Sequence, residues 1–252
     1  MSIAEIMLRW GRRCLINRVS SLTGHAPKSA THCYIVAKRP MLYLDSALIE
    51  TAQKLPQLGW VKGITTNPTL LAQSPLDPRE TLQALAKLSP GELYYQLTSN
   101  SYEEMVAEGR FARDLIGPQT VLKIPATPTG FRALATLSPE ITCSVTAIYH
   151  PAQAVIASEA GARYAIAYVN RATRLLGDGV ALVNQMAQVL THSPTEILAA
   201  SLKSADEAFQ ALVAGADHLT LPWEILAAMT HHPLSEQTRL DFNQQGKGLD
   251  WQ

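Results

Sequence analysis

The feature that most constrains the fold is a repeated alternation of short apolar runs with longer amphipathic stretches, which begins at Met41. Eight of these runs have the length and apolar content of buried strands. They are Leu42 to Asp45, Val61 to Thr65, Glu92 to Leu97, Thr120 to Pro125, Ile141 to Thr146, Tyr164 to Tyr168, Glu196 to Ala200 and His218 to Leu221. Between them, apolar residues recur every three or four positions, which predicts helices that bury one face. Such segments include Ser46 to Gln53, Tyr102 to Leu115, Pro151 to Glu159, Gly179 to Leu190 and Ala205 to Val213.

Eight strands that alternate with helices close most simply into a single-domain (β/α)8 TIM barrel, and a chain of 252 residues suits that fold. The alternative is a doubly wound open sheet, but no predicted strand is followed by Gly-x-Gly-x-x-Gly. Ala-Gly-Ala occurs at 160–162 and at 214–216, just before a strand, where a left-handed glycine would end the preceding helix. An additional C-terminal helix is predicted over Ser235 to Asn243.

Residues 1–40 differ in charge from the barrel predicted at 41–252. They carry seven basic residues and one acidic residue, a formal charge of +6, whereas the other 14 basic and 20 acidic residues give −6. We expect this basic N-terminal extension to be poorly ordered or outside the functional protein, since Met41 could itself be the start. The alternative is an amphipathic helix that contacts a membrane or acts as a targeting peptide, because Ile3, Ile6 and Trp10 recur at helical spacing beside arginines.

Composition excludes several classes of function. The 21 basic and 21 acidic residues balance, so no bulk charge attracts nucleic acid. Cys14, Cys33 and Cys143 lack paired spacing, which favours a reducing cytoplasm over a disulfide framework. No apolar run approaches the roughly 18 residues that span a membrane. His231 and His232 are adjacent and have no third ligand nearby, so we expect no metal site.

Polar residues stand at or just after the carboxyl ends of seven of the eight strands, where the active sites of such barrels lie. They are Asp45, Thr65, Thr66, Asn67, Gln96, Lys123, Thr146, Tyr168, Asn170, Arg171, Ser201 and Lys203. Each alone has a structural explanation: Asp45 could cap a helix, Asn67 before Pro68 is typical of a turn, and Tyr168 could be core. Their convergence on one rim favours a binding or catalytic site.

Lys123 is the strongest candidate nucleophile. It lies within Thr-Val-Leu-Lys-Ile-Pro (120–125), an apolar run without a neighbouring carboxylate. Burial disfavours a charged ammonium, and a neutral amine can attack a ketone or an aldehyde. The structural alternative is a lysine that merely extends to the strand end to reach water. Lys62 alternates outward and Lys203 follows its strand in a loop, so both compete only weakly.

Six segments together resemble the transaldolase superfamily. They are Leu-Tyr-Leu-Asp (42–45), Gly-Ile-Thr-Thr-Asn-Pro-Thr (63–69), Val-Leu-Lys-Ile-Pro (121–125), Val-Thr-Ala-Ile-Tyr (145–149), Ala-Tyr-Val-Asn-Arg (167–171) and Ala-Ala-Ser-Leu-Lys (199–203). The resemblance runs from about Met41 to the C-terminus and is closest to the short branch that includes fructose-6-phosphate aldolase. Gln96 is similar to the glutamine of those aldolases, whereas true transaldolases carry a glutamate at that position.

The resemblance implies a role for each rim residue. Lys123 would form the Schiff base, Asp45 would transfer protons, and Gln96, Thr146 and Tyr168 would hold the catalytic water. Thr65, Asn67 and Ser201 would belong to the substrate-binding set, with Asn67 and Ser201 on the donor hydroxyls, and Arg171 would meet the acceptor's phosphate.

A covalent iminium replaces a metal as the electron sink, so no cofactor is expected. The resemblance implies a class I aldolase that reversibly cleaves fructose 6-phosphate into dihydroxyacetone and glyceraldehyde 3-phosphate. The first alternative is a transaldolase, and the second is a non-catalytic phospho-sugar-binding paralogue. The partners would be small-molecule sugar phosphates and dihydroxyacetone, not nucleic acid or membrane. The resemblance also implies a homo-oligomer, a pentamer or a decamer, through the C-terminal helix.

Overall fold

The structure is a computed structural model that describes residues 40–249. Eight parallel strands form a closed barrel in chain order, and β8 pairs back onto β1. The strands are β1 Met41–Asp45, β2 Val61–Thr65, β3 Glu92–Gln96, β4 Thr120–Pro125, β5 Thr142–Ile148, β6 Tyr164–Tyr168, β7 Glu196–Ala200 and β8 His218–Leu221. The predicted (β/α)8 barrel is therefore confirmed. The predictions for the N-terminal extension fall, apart from residue 40, outside the described residues.

Helices follow the strands and surround the barrel. Within the described residues they are α1 Ile49–Ala52, α2 Pro68–Leu71, α3 Pro78–Leu88, α4 Tyr102–Ile116, α5 Pro128–Leu137, α6 Pro151–Glu159, α7 Val169–Leu176, α8 Gly179–Val189, α9 Ala205–Ala214, α10 Trp223–Ala228 and α11 Pro233–Gln245. The predicted C-terminal helix is confirmed as α11. None of the helices at 40–249 is both long and apolar enough to cross a membrane.

The helix predicted over Ser46 to Gln53 is shorter in the structure. The Ser46 hydroxyl accepts the backbone N–H of Leu48 at 3.1 Å, and Leu48 is extended, so α1 begins only at Ile49. A separate 3-10 turn at Leu55–Gln57 follows. By contrast, the two predicted glycine stops are confirmed, because Gly161 and Gly215 have φ angles of +91° and +112°. Both angles lie in the region that glycine tolerates best.

Alternation along the strands divides the apolar residues into two cores. Side chains that point inward fill the barrel, among them Tyr43, Tyr94, Val121, Ile166 and Leu198. Their sequence neighbours point outward and pack beneath the helices, and they include Leu44, Leu93, Leu122, Ala167 and Ala199. Because the strand period is two residues, the inward set continues to Asp45, Gln96, Lys123 and Tyr168 at the carboxyl ends.

The amino-terminal end of the barrel is closed by a polar cluster, which we call the floor. It consists of the half-buried Glu92 and the buried Tyr43, Tyr94, Tyr164, Glu196 and His218. The Glu92 carboxylate accepts hydrogen bonds from the hydroxyls of Tyr43 at 2.7 Å, Tyr164 at 2.8 Å and Tyr94 at 3.0 Å. Beside it, the Glu196 carboxylate lies 3.2 Å from Nε2 of His218. Burial is the largest cause that raises the pKa of each of these three tyrosines, and the Glu92 charge adds to it.

The floor predicts alkaline sensitivity. A tyrosine whose pKa is raised by folding stabilises the protein fully below its unfolded pKa of about 10, and that contribution is lost as the pH rises above this value. We expect the free energy of unfolding from urea titrations to fall steeply from about pH 10 upward. Tyr164→Phe should make the fall shallower, because it removes one ionising phenol. A free energy of unfolding that stays flat to about pH 11 would contradict this role of the floor.

Candidate active site

A cavity of about 560 Å³ opens at the carboxyl ends of the strands. Seven of the nine residues predicted to act there line it, namely Asp45, Asn67, Gln96, Lys123, Tyr168, Arg171 and Ser201. Thr65 and Thr146 do not line it, but each hydrogen-bonds to a residue that does. The structure therefore brings the whole predicted set together, while the role of each residue remains a prediction.

Lys123 lies at the inward position of β4, two residues after the core residue Val121. Only 3% of Lys123 is exposed, and its Nζ donates to the backbone carbonyl of Thr66 at 2.8 Å. Within residues 40–249, no carboxylate lies at ion-pair distance from this amine. A buried amine at the base of a cavity, held by a neutral carbonyl, suits nucleophilic attack better than structural charge pairing.

Asp45 is oriented by a chain of two buried hydroxyls. Its Oδ1 accepts from Thr65 Oγ1 at 2.8 Å, and Thr65 Oγ1 lies 2.5 Å from Thr220 Oγ1. Because Thr65 has one hydroxyl proton and gives it to Asp45, Thr220 must donate to Thr65. Thr220 is not among the residues predicted from the sequence. Its inward position on β8, two residues after the floor residue His218, was the available signal.

Gln96, Thr146 and Tyr168 offer polar atoms for a small ligand. Thr146 Oγ1 donates to the Tyr168 hydroxyl at 2.8 Å, which leaves the Tyr168 proton free for another acceptor. Gln96 Oε1 is buried and has no hydrogen-bond partner among the described residues. An unsatisfied buried acceptor is costly, so this atom is suited to receive a hydrogen bond from a bound water or hydroxyl group.

Backbone irregularities accompany these side chains. Ala147 has a φ of +58°, and the pairing of β5 with β6 shifts between Val145 and Ile148, beside Thr146. Ser201 also has a φ of +58°, directly after β7. Such conformations cost free energy in residues other than glycine and often occur at functional sites. Both irregularities lie at the carboxyl end of the barrel, beside the cavity.

Two basic residues besides Lys123 line the cavity, together with the acidic Glu224. Arg171, at the start of α7, holds its guanidinium 4.9 Å from the centre of the Tyr168 ring. Lys203 lines the cavity as well. On the opposite side, Asn67 Oδ1 caps α2 by accepting from Leu70 N–H at 2.9 Å, so the amide nitrogen remains available as a donor. Asn67 thus caps a helix, where the sequence suggested a turn, and it also lines the cavity.

The cavity residues outside the predicted site set include Lys203, Trp223 and Glu224. Lys203 was discounted as a loop lysine, yet it lines the cavity together with Trp223 and Glu224. Trp223 follows β8 after one proline, and Lys54 Nζ lies 5.2 Å from its ring centre. Position alone could have found Trp223 and Glu224, since the segments after other strands also supply cavity residues. Within residues 40–249, no three His, Cys, Asp or Glu side chains are grouped to hold a metal ion.

Comparison with known proteins gives a consistent result. The family model described as Transaldolase/Fructose-6-phosphate aldolase matches residues 42–250. A protein from Nitrosopumilus maritimus named "Probable transaldolase" is 33% identical over 199 residues, which cover 77% of this chain and 89% of that protein. A "Probable transaldolase" from Exiguobacterium sibiricum is 35% identical over 199 residues, covering 77% of this chain and 92% of that protein.

Solved structures share the fold at low sequence identity. A mandelate oxidase variant superposes with a TM-score of 0.52 at 15% identity, over 73% of this chain and 65% of the oxidase chain. The inosine 5′-monophosphate dehydrogenase of Legionella pneumophila gives a TM-score of 0.52 at 14% identity, over 72% of this chain and 58% of that chain. At such identities the similarity supports the barrel alone.

Proposed function

Because this chain belongs to the transaldolase/fructose-6-phosphate aldolase family, we propose that it makes and breaks carbon–carbon bonds of sugar phosphates through a Schiff base on Lys123. The environment of that amine carries the proposal. Lys123 is 3% exposed, its Nζ bonds to a carbonyl oxygen, and it lies in one cavity with Asp45, Gln96 and Tyr168. A nucleophilic amine, a carboxylate and a phenol are the groups that imine chemistry needs.

The proposed reaction begins when Lys123 Nζ attacks the ketone carbon and forms a carbinolamine, which loses water to become an iminium. The iminium accepts the electron pair of the C3–C4 bond as the C4 hydroxyl gives up its proton and the aldehyde leaves. The resulting enamine is protonated at C3 and hydrolysed, which releases dihydroxyacetone and the free amine. Asp45 moves the protons of carbinolamine dehydration, and water held by Gln96, Thr146 and Tyr168 takes the hydroxyl proton.

The cavity offers donors for both ends of such a substrate. Asn67, Ser201 and Thr65 serve the hydroxyl groups of the three-carbon donor in this proposal. Arg171 binds the phosphate, because its fork of N–H groups matches phosphate oxygens, and stacking on Tyr168 holds it in place. Lys203 adds a second cation on the same cavity.

More specifically, we propose that the protein is a cytoplasmic fructose-6-phosphate aldolase that works without a metal ion. The support for this proposal is Gln96, which cannot accept a proton although its unpaired Oε1 can orient a water. A transaldolase is the second candidate, and it is favoured by the names of the curated relatives. A non-catalytic phospho-sugar binder is the weakest alternative, since a pure binder gains nothing from a buried amine that costs stability.

Trapping with borohydride tests the nucleophile. We expect the wild-type protein, incubated with dihydroxyacetone and borohydride, to carry a reduced adduct on the peptide that contains Lys123. Lys123→Met should abolish both adduct and turnover, because no amine remains to form the iminium. Lys62→Met is the matched control, since Lys62 is exposed on the outward side of β2. An adduct that maps to another residue, or turnover by Lys123→Met, would refute the proposal.

A second assay separates the two candidate activities. With fructose 6-phosphate as sole substrate, an aldolase releases free dihydroxyacetone, whereas a transaldolase releases it only in traces and needs an acceptor such as erythrose 4-phosphate. We expect release without the acceptor. Gln96→Glu should lower release relative to transfer by about tenfold, because it introduces the proton-exchanging glutamate that the resemblance assigns to true transaldolases at this position. If wild-type protein only transfers the unit to erythrose 4-phosphate, the transaldolase assignment holds.

We also propose a homo-oligomer, a pentamer or a decamer, joined through α11. No residue of α11 is buried, and Leu234 and Phe242 are 70% and 71% exposed. Exposed apolar side chains on a terminal helix suit contact with a second copy. Sedimentation velocity should report a multiple of the 27.4 kDa chain mass. Phe242→Asp should reduce that mass, whereas Asn243→Asp, which adds the same charge next to it, should not. A wild-type monomer would contradict this assembly.

A further inference from the structure

We infer that Glu207 is a positioning residue that links the segment carrying Arg171 to the segment carrying Lys203. Through this link it sets the preference for a phosphorylated aldehyde acceptor. This role rests on the proposed function. Glu207 lies in the first turn of α9, after the segment that carries Lys203. It does not line the cavity, so it acts on the substrate only through other residues.

Both carboxylate oxygens of Glu207 are engaged by fixed donors. Oε1 accepts from the side-chain amide of Asn170 at 2.8 Å, and Oε2 accepts from the backbone N–H of Lys203 at 2.7 Å. The backbone N–H of Glu207 in turn donates to Ser204 Oγ at 3.0 Å, which caps α9. Hydrogen bonds to an ionised carboxylate are roughly twice as strong as neutral ones, so these contacts hold their geometry well.

The two hydrogen bonds of the Glu207 carboxylate join the segment after β6 to the segment after β7. Asn170 immediately precedes Arg171 in α7, after β6, whereas Lys203 follows β7. The backbone N–H of Asn170 also donates to the carbonyl of Ser201 at 3.1 Å, so the two segments are linked twice. Arg171 and Lys203 are exposed, and ordering exposed cations upon binding costs conformational entropy. A clamp that fixes their backbones in advance reduces that cost.

The charge of Glu207 would by itself have the opposite effect. Within the described part of the chain, Glu207 forms no ion pair with a lysine or an arginine. A carboxylate near the cations repels a phosphate, so simple removal of the charge should strengthen phosphate binding. The clamp predicts weaker binding instead. The two effects therefore differ in sign, which makes the inference testable.

The test compares two acceptors for the aldol addition of dihydroxyacetone, glyceraldehyde 3-phosphate and unphosphorylated glyceraldehyde. We expect Glu207→Ala to raise KM for the phosphorylated acceptor about tenfold and KM for glyceraldehyde less than about twofold, with kcat nearly unchanged. Glu207→Gln retains one acceptor oxygen and should lie between wild type and Glu207→Ala. Asp206→Asn, at an exposed neighbour on the same helix, is the matched control for loss of charge, and its KM for the phosphorylated acceptor should stay unchanged or fall slightly.

Unchanged or lower KM for the phosphorylated acceptor in both Glu207 variants would overturn the inference. So would an equal rise for both acceptors, because that pattern indicates general damage to the fold. If Glu207→Ala fails to fold, the milder Glu207→Gln alone decides. The borohydride adduct on Lys123 separates failure of the proposed function from failure of this inference. If wild type forms no adduct, the proposed function fails. If wild type forms the adduct but the Glu207 variants leave the ratio of the KM values for the two acceptors unchanged, only the role of Glu207 is refuted.

Discussion

The two-residue period of side chains along parallel strands is the constraint on which the rest of this structure depends. Once Tyr43, Tyr94 and Val121 point into the barrel, Asp45, Gln96 and Lys123 must follow them inward two positions later. A shift of one residue in any strand would expose the polar group to the helical layer and bring an apolar one into the cavity. The burial of Lys123 is therefore a consequence of core packing as much as a feature of the site.

Stability and strain lie at opposite ends of the same barrel. At the floor, three phenols satisfy the Glu92 carboxylate and large side chains fill the interior. At the other end stand the unsatisfied Gln96 oxygen and the left-handed Ala147 and Ser201. Each of these features costs free energy, and a rigid scaffold is what allows them to persist. The closed floor thus supports the polar geometry around the cavity.

Much of this organisation could be predicted from the sequence, because periodicity and strand-end chemistry are local signals. Five strands have the predicted bounds, and the rim residues converge as expected. The exceptions arise from contacts that periodicity does not encode. The strand β5 extends to Ile148, which pairs with Ala167 beyond a register shift where Ala147 has a positive φ, and α1 is shortened by a Ser46 hydrogen bond. The position of Thr220 on β8 could have been read from the sequence, but its contact with Thr65 and that of Glu207 with Asn170 join residues distant in sequence, so only the folded structure reveals these contacts.

The closed floor also determines the order in which molecules enter and leave the cavity. Bulky side chains block the barrel beneath Lys123, so a molecule can reach the amine only from the carboxyl end of the strands. In a cavity with a single opening, the molecule that enters last must leave first. A molecule held at Lys123 must enter the cavity before its reaction partner, and it can leave only after that partner has left the opening.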